Sequence, residues 1–293
     1  MQKNKKIRKA VFPVGGLGTR FLPATKSLPK EMLPVASKPI IQYAFEEAVK
    51  AGIEQFIFIT GRNKNAISNH FDHSYELQEI LSQTDKAREL SLTCDWMPEA
   101  GQIAFVRQQQ PRGLGHAIYC ARNLIGDEPF AILLADEMLM SATGFLKQMC
   151  EFYEDTGANI IAVHEVEKAD VSSYGIINPL STSGNKIKIK NMVEKPKVID
   201  APSNIAIVGR YILSPKIFDC LKDLKPSKYN GEIQLTDAMQ LLIESQDFYG
   251  LKFDGPRFDC GNELGFLEAN VAYSMEKDNN KDKIIKMLRK YVE

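Results

Sequence analysis

The first residues able to do chemistry sit in one loop. Val14-Gly15-Gly16-Leu17-Gly18-Thr19-Arg20 follows an apolar run directly, and Lys26 and Lys30 come soon after. Glycines let the backbone approach a ligand closely and turn N–H groups toward phosphate oxygens. Arg20, Lys26 and Lys30 spread over eleven residues interleaved with Pro23, Pro29 and Pro34, and prolines hold such a path extended. A long ordered loop carrying three cations beside a glycine turn describes a clamp for a triphosphate. The glycines alone fit a tight turn without a ligand about as well. Together with the opening strand, the glycines favour the clamp over a solvated basic loop. Two standard loops are excluded: no Lys-Ser or Lys-Thr directly follows a glycine, as a P-loop needs, and Phe21 stands where GxGxxG needs its last glycine. That argues against a Walker ATPase and against an NAD enzyme.

Further candidates fall at the ends of expected strands. Asp136 follows Phe130–Ala135, and Asp259 follows a weaker strand near Tyr249–Asp254. Two carboxylates so placed can hold one Mg²⁺, its other positions filled by phosphate oxygens and water; the bland reading of Asp136 is a turn or cap residue. Gln108 closes Ile103–Arg107, and its amide offers a donor and an acceptor. Glu194-Lys195 ends an alternating strand before Pro196; such pairs are most often solvated. His70 and His73 lie three apart without a third ligand nearby, so they read as two surface imidazoles. His116 opens a helix, where it caps or packs on a nucleotide, and His164 reads as structural.

The elements that must position these groups alternate. Strands are expected at Lys9–Val14, Gln55–Thr60, Ile103–Arg107, Phe130–Ala135 and Asn159–Glu165. Helices are expected at Pro39–Ala51, His116–Leu124 and Gly144–Thr156, with one or two more between Asn63 and Arg88. This pattern implies βαβ units and an α/β fold. The second half adds strands at Ile176–Asn178, Lys186–Glu194 and Asn204–Leu213, then helices at Leu235–Ser245, Leu264–Asp278 and Asp282–Val292. Without repeats or a Pro/Gly/Ser-rich linker, the 293 residues read as one domain. Its expected parts span about 8–170, 171–262 and, as carboxyl-terminal helices, 263–293.

Bulk composition narrows the partners. Lys plus Arg number 37 and Asp plus Glu number 37, so no global field invites nucleic acid or an anionic membrane. Five cysteines at wide spacings, without a CxxC, argue against a disulfide framework or a zinc site and fit a reducing cytoplasm. The apolar run behind the basic start is too short, and too quickly broken by Pro13 and glycines, for a signal peptide.

At this point the residues resemble a known family. Gly16-Leu17-Gly18-Thr19-Arg20-Phe21-Leu22-Pro23-Ala24-Thr25-Lys26 and Pro29-Lys30-Glu31-Met32-Leu33-Pro34 are similar to the signature of bacterial UTP–glucose-1-phosphate uridylyltransferases, within the sugar nucleotidyltransferases. Asn69-His70-Phe71-Asp72, Gly113-Leu114-Gly115-His116-Ala117, Val193-Glu194-Lys195-Pro196-Lys197, Glu232-Ile233-Gln234-Leu235-Thr236-Asp237-Ala238 and Asp259-Cys260-Gly261-Asn262 continue the likeness in order, over roughly residues 8 to 275. Gly15, where the family often has Ala, and Glu137, where it often has Asp, depart from the pattern.

The resemblance implies a Rossmann-like mixed, mostly parallel sheet flanked by helices, with a small β insertion and carboxyl-terminal helices, the nucleotide bound by the half over about 8–170 and the sugar phosphate by the half over 171–262. It implies uridylyl transfer from UTP to glucose 1-phosphate, giving UDP-glucose and pyrophosphate, by Mg²⁺-dependent in-line attack on the α-phosphate. Arg20 and Lys30 would hold the leaving phosphates. Gly15, Gly16, Gly18, Thr19, Gln108, Gly113 and Asp136 would bind the nucleotide. Gly175, Glu194 and Lys195 would bind the sugar phosphate, and Asp136 and Asp259 the metal. A cytoplasmic homodimer or homotetramer is expected. The rival readings are a thymidylyltransferase using dTTP and an inactive nucleotide-binding regulatory paralogue; retention of Arg20, Lys30, Asp136, Lys195 and Asp259 argues against the latter.

Overall fold

In chain order the strands are β1 (Lys9–Val14), β2 (Pro34–Val35), β3 (Lys38–Pro39), β4 (Gln55–Thr60), β5 (Ile103–Arg107), β6 (Phe130–Leu133), β7 (Glu137–Leu139), β8 (Asn159–Glu165), β9 (Gly175–Ser183), β10 (Lys186–Glu194), β11 (Ile205–Leu213), β12 (Phe248–Lys252) and β13 (Arg257–Asp259). The helices are α1 (Ile40–Lys50), α2 (Asn65–His70), α3 (Tyr75–Gln83), α4 (Ala87–Cys94), α5 (Leu114–Cys120), α6 (Arg122–Ile125), α7 (Phe145–Thr156), α8 (Ile217–Asp223), α9 (Leu235–Leu242), α10 (Glu263–Met275) and α11 (Lys281–Arg289). This computed structural model describes residues 4–141, 143–227, 231–276 and 280–291. The expected helix ends at Asp278 and Val292 lie outside the described residues.

Among the described residues nine strands form one sheet, in the order β5-β4-β1-β6-β11-β8-β12-β10-β9. The four strands from β5 to β6 are parallel, as the alternation of strands and helices predicts. Then β11 runs antiparallel to β6 on one side and to β8 on the other, β12 rejoins β8 in parallel, and β10 and β9 close the sheet in antiparallel fashion. The sheet is thus mixed, with its parallel run in the first half. That follows from the connections: the β9–β10 link is a short turn, and only antiparallel strands can be joined so tightly.

Period-two alternation sends each strand's side chains to opposite faces. Ala10, Phe12 and Val14 of β1 enter one apolar cluster with Phe45, Phe56 and Phe58. Val11 enters the other, with Ile57, Ile59, Ile132 and Phe248. Two buried faces explain why these strands read as continuous apolar runs. Helix α1 covers the first face with Ile41, Ala44, Phe45 and Ala48, the spacing of a single helical stripe, and Gly52 at φ 83° ends the turn after it. Each fully buried phenylalanine contributes about 1.5–3 kcal/mol.

Several local expectations are corrected. Asn63–Arg88 holds α2, α3 and the start of α4 rather than one or two helices. The His116–Leu124 helix begins at Leu114 and breaks into α5 and α6. Asp259 does not follow the strand near Tyr249–Asp254, which is β12; it ends a separate strand, β13, that pairs with β7. His70 is no surface imidazole: it stacks on Trp96 at 4.8 Å and its Nε2 lies 3.2 Å from Gln42 Oε1. His73 is exposed. Of the cysteines, Cys150 and Cys260 are buried and the other three partly so, all unpaired. Among the described residues no helix is long and apolar enough to cross a membrane.

Candidate functional site

Open α/β sheets bind ligands beyond the carboxyl ends of their parallel strands. Here the chain leaves β1 at Gly15, β5 at Gln108 and β6 toward Asp136 on that edge. A cavity of about 630 Å³ opens there, and every site residue expected from the sequence lines it: the Gly15–Arg20 loop, Lys30, Gln108, Gly113, Asp136, Gly175, Glu194, Lys195 and Asp259. Lys26, the third cation of the loop, is not among the lining residues.

The glycine loop is shaped by its own contacts. Gly18 takes φ 66°, the left-handed region open to glycine, and the Thr25 hydroxyl donates to its carbonyl at 2.7 Å. A Cβ on Gly15 would stand 3.2 Å from Gln108 Oε1, so the glycine leaves that amide room. Arg20 extends across the cleft and donates to the Gly261 carbonyl at 3.3 Å. Lys30 donates to Asp136 at 2.6 Å. Burial works against an ionised Asp136, but the Lys30 ammonium outweighs it and holds the carboxyl below its usual range. Burial likewise opposes charge on Lys30, and Asp136 and Glu31 reverse that, raising its pKa. Behind this turn Glu31 pairs with Lys64 at 2.8 Å, both side chains almost wholly enclosed.

Gln108 is buried at the back of the cleft. Its Nε2 donates to the Gly113 carbonyl at 3.2 Å and lies 2.9 Å from His116 Nδ1. A carbonyl can only accept, so this contact fixes the amide's orientation and leaves Oε1 facing Gly15. Gly113, at φ 94°, has no room for a side chain: a Cβ would meet Glu232 at 2.7 Å.

Asp136 and Asp259 flank a short antiparallel ribbon, β7–β13, whose register sets Glu137 opposite Asp259. The Cys260 N–H donates to the Asp136 carbonyl at 2.7 Å. Both carboxylates border the space above Gly261, where a Cβ would lie 2.8 Å from Asp259 Oδ1 and 3.1 Å from Asp136 Oδ2. Glu137 lines the cleft beside them. It takes two hydrogen bonds from Arg257, at 2.8 and 2.9 Å. Burial pushes its carboxyl up to about 7, with Arg257 pulling the other way.

On the far wall, Glu194 lies opposite Gly175 in register, and Lys195, at φ 45°, turns its ammonium to within 3.7 Å of Glu194. The Lys195 N–H donates to the Tyr174 carbonyl at 3.0 Å. A Cβ on Gly175 would press on Thr236 Oγ1 at 3.0 Å and Glu194 Oε2 at 3.2 Å, so glycine keeps the backbone open to the cavity.

Sequence reasoning assigned no role to Tyr174, Tyr211, Glu232, Gln234 and Thr236, all of which line the cleft. The Glu232–Thr236 run stood out as part of the family pattern, but its nearness to Gly113 arises only when α9 packs beside α5. Arg257 and His116 were likewise missed as partners of Glu137 and Gln108.

A family model described as nucleotidyl transferase matches residues 9–276. The chain is 47% identical over 286 residues to the UTP–glucose-1-phosphate uridylyltransferase 2 of Staphylococcus saprophyticus, covering 98% of each chain. Among solved structures, the UTP-bound UGPase from Acinetobacter baumannii superposes with a TM-score of 0.88 at 40% identity, over 96% of this chain and 98% of that one. A UDP-glucose pyrophosphorylase complexed with UDP-glucose gives 0.81 at 44% identity, over 92% and 100%.

Proposed function

The chain belongs to the nucleotidyl transferase family, and on that premise we propose that it transfers the uridylyl group of UTP to glucose 1-phosphate, releasing pyrophosphate and UDP-glucose. One observation carries the reading: a cationic glycine loop, a buried amide, a carboxylate pair and a Glu–Lys pair converge on a single cleft.

The nucleotide half would work as follows. The Gly15 and Gly16 backbone meets the base, and Gln108 Oε1 accepts from the imide N–H, since its Nε2 is engaged by Gly113 and His116. Cytosine has no ring N–H at that edge, and an unmatched polar group in a closed site costs about 1–3 kcal/mol. Backbone N–H groups at Gly18 and Thr19 face the phosphates. Arg20 and Lys30 hold the β- and γ-phosphates and neutralise the leaving pyrophosphate; Lys30 already reaches across the cleft to Asp136.

In the sugar-phosphate half, Glu194 accepts from sugar hydroxyls and the Gly175 backbone admits the ring. Lys195 aims the phosphate of glucose 1-phosphate. Its oxygen attacks the α-phosphorus of UTP in line, a new P–O bond forms, and the bond to the β-phosphate oxygen breaks with its electron pair leaving on pyrophosphate. The nucleophile is already ionised, so no side chain need take a proton. Positioning and charge neutralisation supply the rate.

Asp136 and Asp259 suit a divalent ion. Two carboxylates border a space that a single Cβ would fill, and Mg²⁺ takes one or two carboxylates while keeping positions for phosphate oxygens and water. Bound there, Mg²⁺ would neutralise phosphate oxygens as a Lewis acid. A cytoplasmic setting, supported by five unpaired cysteines, and a homodimer or homotetramer belong to the same proposal; sedimentation reports the assembly. The test of the chemistry is pyrophosphate release from UTP, CTP, ATP, GTP and dTTP, each with glucose 1-phosphate and Mg²⁺. UTP should lead, and CTP used equally well would overturn the role of Gln108. Turnover with dTTP alone would favour the thymidylyl reading.

A further inference from the structure

The β7–β13 ribbon has three paired residues per strand; Asp259 ends one strand and Asp136 immediately precedes the other. A two-stranded ribbon so short does not hold itself, and a one-residue slip would turn Asp259 to the opposite face. The Glu137–Arg257 pair is the lock. Arg257 precedes Asp259 by two residues, so it shares that face and meets Glu137 diagonally across the ribbon. The pair is bidentate, and its side chains are only 9% and 12% exposed.

Arg257 also has a second face. Its guanidinium carbon lies 4.8 Å from the centre of the Tyr174 ring. Tyr174 precedes Gly175, and its carbonyl accepts the Lys195 N–H at 3.0 Å. Lys195 holds a left-handed φ of 45°, a conformation that costs a non-glycine residue energy and persists only where its surroundings enforce it. One planar cation therefore joins the carboxylate ribbon to the shelf under the Lys195 turn. Arginine suits both contacts, since its fork matches a carboxylate and its flat face stacks on a ring.

We infer that Arg257 is a positioning residue that sets the separation between the Asp136–Asp259 pair and Lys195, and so the approach of the attacking phosphate to the α-phosphorus. The inference rests on the uridylyl-transfer reading above.

Arg257→Lys keeps the charge beside Glu137 and loses the fork and the flat face. Its thermal midpoint should stay near the parent's, and its UTP Kd by calorimetry within about twofold, while the glucose 1-phosphate KM rises about tenfold and kcat falls by up to about 10²-fold, the scale of a small misplacement. In a Tyr174→Leu background the same change should add less than about twofold, because residues acting through one contact are not additive. If Arg257→Lys fails to unfold cooperatively, Glu137→Gln with Arg257→Gln, an uncharged pair, carries the comparison instead. An active parent whose variant loses UTP and glucose 1-phosphate affinity equally, or whose two substitutions multiply, overturns the positioning role. A parent that releases no pyrophosphate overturns the uridylyl-transfer reading, and this inference with it.

Discussion

Replacing Lys64 by methionine should destabilise the fold severely although Lys64 does not line the cleft. Glu31 and Lys64 are 3% and 8% exposed and pair at 2.8 Å. Methionine fills nearly the same volume, so the loss is electrostatic and not a cavity. Breaking a buried pair from one side costs about 3–5 kcal/mol, because the remaining charge is left without compensation. Burial already raises the Glu31 pKa against the pull of Lys64 and Lys30; without Lys64 it rises further, so folded Glu31 keeps its proton at pH values where the unfolded chain is ionised. The sign then follows. The folded variant holds a proton that the unfolded chain has released, so its stability is greatest below the unfolded glutamate pKa of about 4.3 and falls as pH rises through the folded value. Urea midpoints of parent and variant at several pH values test this. The gap should be widest near pH 8 and narrow toward pH 5, and Glu31→Gln with Lys64→Met should recover most of it. A gap below about 1 kcal/mol at neutral pH, or one that does not narrow on acidification, refutes the argument.

Asp136→Asn should keep the thermal midpoint within a few degrees and lower kcat by about 10²–10³-fold; turnover like the parent's at limiting Mg²⁺ would remove Asp136 from the metal site. Lys195→Ala should weaken glucose 1-phosphate and spare UTP, while Arg20→Ala should do the reverse, as paired titrations would read; the opposite pattern would exchange the two substrate positions. Gly209→Ala should cost about 1–3 kcal/mol and lower activity with it, since Gly209 holds φ 56° and its Cβ would fall 2.6 Å from the Glu137 side chain. A chemical denaturation curve and one rate measurement check both effects.

Much of this site was readable before any coordinates because its parts are local. The glycine loop, the Glu194-Lys195 turn and the residue after an apolar strand announce themselves through neighbours in sequence. Strands β1, β4, β5, β8 and β10 end where alternation and turn residues say they should. What escaped depends on distant pairings. Strands β7 and β13 are three residues each, too short for periodicity to register, and they exist because the 117 residues from 140 to 256 return Arg257 to Leu139. Nothing local marks Glu31 and Lys64 as a buried pair, since no signal in the sequence says that two loops will close over both. The role of His116 needed the position of Gln108, eight residues back and on another element.

The place of β11 bears on how the protein is made. Strand β6 is complete at residue 133, yet its partner on the open side is β11, residues 205–213, and not β8, the next strand of the same sheet along the chain. While the ribosome adds the residues between, at about 5–20 per second, an apolar strand with unpaired N–H and C=O groups waits for several seconds at the border of a half-built sheet. Such an edge invites pairing with another nascent chain. Chains stalled or truncated between residues 134 and 204 should therefore aggregate far more readily than those released after residue 213, and shielding by a chaperone matters most over that interval of synthesis.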